Sequence, residues 1–147
     1  NLHGANRGDR HTERENRLVV KEAFLPEKNA FLIRRHEMRK DGFISVHGDY
    51  TGGEFITPLV TFDGHQLELN VDTSATGMVK VEIQDEFGLA LKGYSLADCH
   101  LIHTANQIKR VVQWNGSSDL SPLSGCVVKL RFSIRNAHLY SFTFSKD

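Results

Sequence analysis

"LELNVDTSATGMVKVEIQDEFG", residues 67–88, is the stretch whose reading decides the fold. Leu67, Leu69 and Val71 alternate with Glu68, Asn70 and Asp72, and Val79, Val81 and Ile83 alternate with Lys80, Glu82 and Gln84. A period of two places one face of a strand on a core and the other toward water. Between the two runs, "DTSATG" supplies small polar residues and Gly77, the chemistry of a turn. The stretch therefore reads as a β-hairpin whose apolar residues are core. It contains no nucleophile, metal-ligand set or phosphate loop.

The same pattern continues on both sides. "GFISVHGDY" (42–50) alternates, and "GEFITPLVTFDG" (53–64) follows with Pro58, a residue suited to an edge strand or a bulge. "IKRVVQW" (108–114) reads as a strand ended by Asn115-Gly116. "CVVKLRFSI" (126–134) and "HLYSFTF" (138–144) read as a second hairpin turning at 135–137, with Tyr140, Phe142 and Phe144 on one core face. Residues 85–107 are too long for a hairpin loop. They suit an irregular crossover with a turn of helix near "SLADC" (95–99), as in Greek-key and jelly-roll chains. "SSDLSPLSG" carries helix-start chemistry at Ser118 or Asp119. Nearer the start, "LVVKEAF" (18–24) and "AFLIRRHEM" (30–38) are two apolar segments separated by Pro26 and Asn29. The first favours a strand; the second reads as a strand or a short helix. The expectation is an all-β chain of seven to eight strands with little helix, a two-sheet antiparallel sandwich of jelly-roll type. The expected division is 1–39, an N-terminal arm or propeller-derived segment, and 40–147, the sandwich.

Bulk composition narrows the function. The chain has 147 residues, of which 39% are hydrophobic and 24% charged, enough for one core. Its 18 basic and 18 acidic residues cancel, so no global field favours nucleic acid or an anionic membrane. No apolar run is long enough to span a bilayer. The first residue is Asn1 rather than Met, and no signal peptide precedes the fold, so the chain reads as a processed or excised piece of something longer. Arg7-Gly8-Asp9 matches an adhesion tripeptide, but so short a match is more economically a turn. Asn115-Gly116-Ser117 is a glycosylation sequon in a secreted eukaryotic protein and otherwise a tight-turn signal.

Catalysis finds little support in the sequence. Glycoside hydrolysis needs two carboxylates roughly 5–10 Å apart. Glu54, Asp63, Asp72, Asp85, Glu86, Asp98 and Asp119 all fall in turns or on water-facing strand positions. Sugar binding needs exposed aromatic faces with polar neighbours. Tyr50, Phe87, Tyr94, Trp114 and Tyr140 are the candidates. The best local set is Trp114 with Tyr94, Asn115 and Asp119, although Val112 shares a face with Trp114 and favours a core role for the ring. For a metal, His100 and His103 with His138 make a weak group. A structural calcium held by aspartates is the better candidate, with Asp72 and Asp85 the leading donors beside Asp41 and Asp49. Cys99 and Cys126 form a disulfide or are two small buried residues, the second reading being favoured.

Four phrases taken together resemble one family: "RKDGFISV" (39–46), residues 67–88, "GYSLADC" (93–99) and "VVQWNGSSDLSPLSGCVVKLRFSIRNAHLYSF" (111–142). They are similar to the C-terminal β-sandwich that follows the catalytic β-propeller in a group of bacterial glycosidase-like proteins. Asn136 departs from that pattern, which has an acidic residue before Ala137. Cys126 departs too, where a charged residue is usual, and this weakens a Cys99–Cys126 bridge. The resemblance implies a noncatalytic carbohydrate-binding accessory domain, secreted to the periplasm or outside the cell. Its expected partners are a glycan and a neighbouring glycoside hydrolase domain, with no nucleic acid or membrane. The alternatives are a domain that only buttresses a propeller, or an autonomous glycan-acting hydrolase or lyase. The family carries no ligand residues over to this chain.

Overall fold

The computed structural model describes residues 17–25, 30–39 and 44–146, the first two ranges as strand backbone. The chain divides into two compact units between Phe43 and Ile44. In the first, β1 (Arg17–Leu25) and β2 (Ala30–Arg39) pair antiparallel, with a register shift between Glu22 and Phe24. "FLIRRHEM" is thus a strand, where β-branched and aromatic residues sit well. Arg7-Gly8-Asp9, Pro26, Asn29 and Asp41 lie outside the described residues.

The second unit is built on two long strands. β3 (Val46–Gly48), β4 (Gly53–Ile56) and β5 (Val60–Thr61) precede β6 (Gln66–Gln84); β7 (Asn106–Val111) and β8 (Val127–Ser145) follow. β6 and β8 are each 19 residues long and pair antiparallel from Gln66↔Ser145 to Gln84↔Lys129. The sheet order is β3-β8-β6-β7, with β4 and β5 also on β8. The chain is all-β, and no helix of the described residues is long and apolar enough to cross a membrane.

Both expected hairpins are replaced by this pairing. "DTSATG" does not reverse the chain, because Thr73 still faces Ala137 and Met78 already faces Arg135. Ser74–Gly77 is instead a four-residue bulge opposite the single residue Asn136. Residues 135–137 continue β8 rather than turning, with Asn136 at φ 45°. On the other side of β8, the Asp49–Gly52 turn falls at the same level, where the Asn136 N–H donates to the Asp49 carbonyl at 2.9 Å. The breaks line up as a crease across the sheet. Gly48 and Gly77 flank it: an added Cβ would collide with the carbonyl oxygens of Ile134 and Asn136 respectively.

The crease also resets which residues point inward. On β8, Val128, Leu130, Phe132 and Ile134 are buried, then Ala137 and Leu139, then Phe142 and Phe144 pack on the same core. The parity slips once at Asn136 and again at Tyr140, the extra residue between Val71↔Leu139 and Asn70↔Ser141. Leu67, Leu69 and Val71 join Val79, Val81 and Ile83 in one cluster, so both halves of the creased sheet share a core. Tyr140 therefore leaves the face of Phe142 and Phe144, contrary to the simple alternation.

The crossover 85–105 closes the free edge of β6 beyond the crease. Val79 and Ile102 exchange backbone hydrogen bonds, the Ile83 N–H donates to Tyr94 O, and Leu91 N–H donates to Ile83 O. Val81 is served by side chains. Its N–H donates to Cys99 Sγ at 3.3 Å, and its carbonyl accepts from Trp114 Nε1 at 2.8 Å. Cys99 is a buried free thiol and Cys126 an exposed one, so neither the disulfide nor a buried Cys126 describes the fold.

A charged cluster braces the same region. Glu82 accepts from Gln84 Nε2, the Leu96 N–H and Arg131, and Arg131 also forks onto Glu54. Burial pushes the Glu82 carboxyl up, but the donors from Gln84, Leu96 and Arg131 outweigh it and hold the group below its ordinary value. A carboxyl depressed in the folded state adds stability above its unfolded value, and that stability is lost as pH falls through its folded value. Glu82→Gln is expected to lower stability near neutral pH by about 2 kcal/mol. The deficit should shrink in acid. Denaturant titrations across pH check this, and parallel stability curves for the two proteins would rule it out.

Candidate functional site

The bulges that crease the sheet also place polar side chains together on its outer face. His138 on β8 is the register partner of Asp72 on β6 and of His47 on β3, so the three form one row across three strands. Directly opposed residues on neighbouring strands have Cβ atoms about 5 Å apart. With Ser74 and Asn136 from the crease, the row lines a cleft of about 310 Å³. That volume is at the small end of the range, about 300–1,000 Å³, of small-ligand pockets.

One wall of the cleft is a stack of rings. His47 and His138 lie face to face, with centroids 4.3 Å apart and planes within 18°. Tyr140 continues the stack 6.0 Å beyond His138. The slip of parity at Tyr140 is what brings it to this face. Ser45 Oγ is hydrogen bonded to His138 Nδ1 at 2.9 Å, which fixes the ring and leaves Nε2 for a ligand. Asn136 Nδ2 donates to Thr76 Oγ1 at 3.0 Å, which ties the floor of the cleft to the bulge and leaves the amide oxygen as an acceptor.

Asp72 is unusual among the carboxylates. Glu68, Glu82, Asp85 and Asp98 are the other buried or half-buried ones among the described residues. Lys109 lies 3.9 Å from Glu68 and Arg131 3.3 Å from Glu82; Asp85 accepts from the N–H groups of Phe87 and Leu89, and Asp98 from Ser95 and Asn115. The half-buried Asp72 carboxylate, facing the cleft, has no hydrogen bond or ion pair to any described residue.

The residues expected from sequence take other places. Trp114 is 2% exposed, with its edge toward Tyr94 at 5.6 Å and its Nε1 spent on Val81. A ring so enclosed offers no face to a sugar, and Trp114 is a core anchor. Asn115 sits in a tight turn at φ 49°, its amide on Asp98. Asp119 accepts from the Ser121 N–H and hydroxyl, starting the short 3₁₀ turn Ser121–Leu123. Ser95 and Asn115 hold the Asp98 carboxyl below its ordinary value, and Ser121 does the same for Asp119. The half-buried Tyr94 donates from its hydroxyl to the Asp119 carbonyl at 3.4 Å. The four residues form one neighbourhood, but its polar groups are occupied in holding the crossover.

No family model, curated protein or solved structure matches this chain.

The proposed metal donors do not meet. Asp72 lies before the crease, and Met78 to Asp85 alone spans roughly 20 Å at about 3.3 Å per residue. Asp85 is also committed to its own turn. His100 and His103 lie in the crossover on one edge of β6, and His138 lies in β8 on the other, so the strand separates them. His47, Ser74 and Asn136 carried no sequence signal as site residues. Their only signal would have been the register of β3 and β6 on β8, which is a property of pairing rather than of local sequence.

Proposed function

We propose that the second unit is a noncatalytic carbohydrate-binding accessory domain, a sandwich-like fold whose site is the cleft on the crease. The observation that carries this reading is the row Asp72–His138–His47 lining a cleft of about 310 Å³, in which Asp72 has no partner among the described residues. Sugar hydroxyls donate and accept at once, and mixed carboxylate, amide, hydroxyl and imidazole groups suit them. Among the described residues Asp72 is the one carboxylate lining the cleft, which favours binding over two-carboxylate hydrolysis. The resemblance noted in the sequence points the same way: an extracellular or periplasmic domain working beside a glycoside hydrolase.

Affinity electrophoresis of the full chain through gels containing neutral polysaccharides tests the reading. Retention on at least one polymer is expected, weakened roughly tenfold in His138→Ala, about 1.4 kcal/mol. Migration unaffected by every polymer would remove the proposal.

A second reading has its own observation. The turn after β6 presents Phe87, 81% exposed, and Leu89, 67% exposed, near the start of β8, where Val127 is also exposed. Bare apolar groups of this size suit contact with a neighbouring domain. In that reading the unit buttresses a propeller and binds no sugar. Loss of the unit would then lower the melting temperature of the adjoining domain without altering its substrate affinity.

A further inference from the structure

We infer that Asp72 makes the cleft selective for uncharged glycans and turns away those carrying uronic acid or sulfate groups. The inference rests on the glycan-binding reading and adds the class of sugar. Of the five buried or half-buried carboxylates among the described residues, Glu82, Asp85 and Asp98 accept hydrogen bonds from the protein itself and Glu68 has an ion pair with Lys109 at 3.9 Å; Asp72 has neither. A carboxylate partly removed from water and left without donors needs them from elsewhere. An ionised carboxylate is an acceptor only, with two oxygens, so adjacent hydroxyls of one ring match it, and such O–H···O⁻ bonds are short and strong.

The same charge works against an anion. No described lysine or arginine lines the cleft. The groups facing Asp72 across the row are His138 and, beyond it, His47 on one side and Asn106 of β7 on the other, with Ser74 and Asn136 beside them. When the imidazoles are neutral, a second carboxylate or a sulfate meets uncompensated like charge at close range. That is a costly arrangement and an effective means of rejection. Repulsion between partly exposed charges is screened by salt, so high ionic strength should soften it.

The test uses the full chain on affinity gels of a neutral β-glucan, a neutral xylan and polygalacturonate, at neutral to mildly alkaline pH. The wild type should be retained by a neutral polymer at least about tenfold more strongly than by polygalacturonate. Added salt should narrow the gap. Asp72→Asn keeps the size and one acceptor oxygen while removing the charge, and it should close the gap by gaining retention on polygalacturonate. Asp72→Ser serves as a second variant, and far-UV circular dichroism confirms that each one folds. Equal retention of the wild type on neutral and acidic polymers, or an unchanged gap in both folded variants, overturns the inference and leaves the glycan reading standing. Retention on no polymer overturns the glycan reading, and the inference falls with it.

Discussion

Replacing Trp114 with alanine is expected to lower stability by about 3–5 kcal/mol, the usual cost of deleting a buried large aromatic side chain. Trp114 fills the space between β6 and the crossover, and its Nε1–H is the donor for the Val81 carbonyl. The backbone there has no other strand to supply one, because the crossover reaches Val81 through side chains. The alanine variant thus leaves a cavity and an orphaned buried carbonyl together. For a unit of this size each kcal/mol moves Tm by roughly 4 °C or more, so a fall of roughly 15 °C is expected by calorimetry. Trp114→Phe separates the two effects. It keeps most of the ring, loses the donor, and should cost about 1–3 kcal/mol. An alanine variant melting within a few degrees of the wild type would show that the ring is not a core anchor.

Gly77→Ala should be nearly as damaging for a different reason. The Gly77 Cα approaches β8 so closely that an added Cβ would overlap the Asn136 carbonyl oxygen and lie 2.8 Å from the Ser74 nitrogen. Both obstacles are backbone, so neither can swing aside. The bulge has to open, which parts β6 from β8 at the crease. The expected loss is about 3 kcal/mol, at the upper end of overpacking penalties. Equilibrium unfolding measures it, with Thr76→Ala as a neighbouring control that removes the hydrogen bonds of the Thr76 hydroxyl to Asn136 and Ser74 without adding a clash. Gly77→Ala matching that control would mean the crease tolerates a side chain.

The alternation of Leu67–Val71 and Val79–Ile83 was legible, and so was the core it implies. What joined the two runs was not. "DTSATG" has the same small polar residues whether it reverses a chain or bulges out of a strand. The choice is made by β8, some sixty residues away, which pairs with both halves. β8 hid its own continuity because its inward parity slips at Asn136 and Tyr140, and the slip at 135–137 imitates a turn. Trp114 was ambiguous because a strand-end tryptophan beside Asn-Gly fits a loop site as well as the core role that Val112 favours; its burial and the partner of its Nε1 separate them. The cleft was the least legible feature. His47, Asp72 and His138 are far apart in sequence, and they meet because three registers agree. Asn115 and Asp119 announced themselves through turn chemistry, and turn chemistry is what they perform, while Tyr94, an aromatic candidate in the sequence, packs its ring edge-on against Trp114.

The position of β8 also bears on how the unit is made. It is the last of the unit's strands in chain order, yet β3, β4 and β5 pair with it alone, and β6 takes it along its whole length. A chain emerging from the ribosome therefore carries its earlier strands without their shared partner until residues 127–145 are free. Only the local contacts of β6 with the crossover and β7 can form before then. Pairing across so many residues is slow to close, so the unit should acquire its sheet late and all at once. Until that moment Leu67, Leu69, Val79 and Val81 have no sheet to cover them, and any factor that shields nascent apolar strands would find its target there.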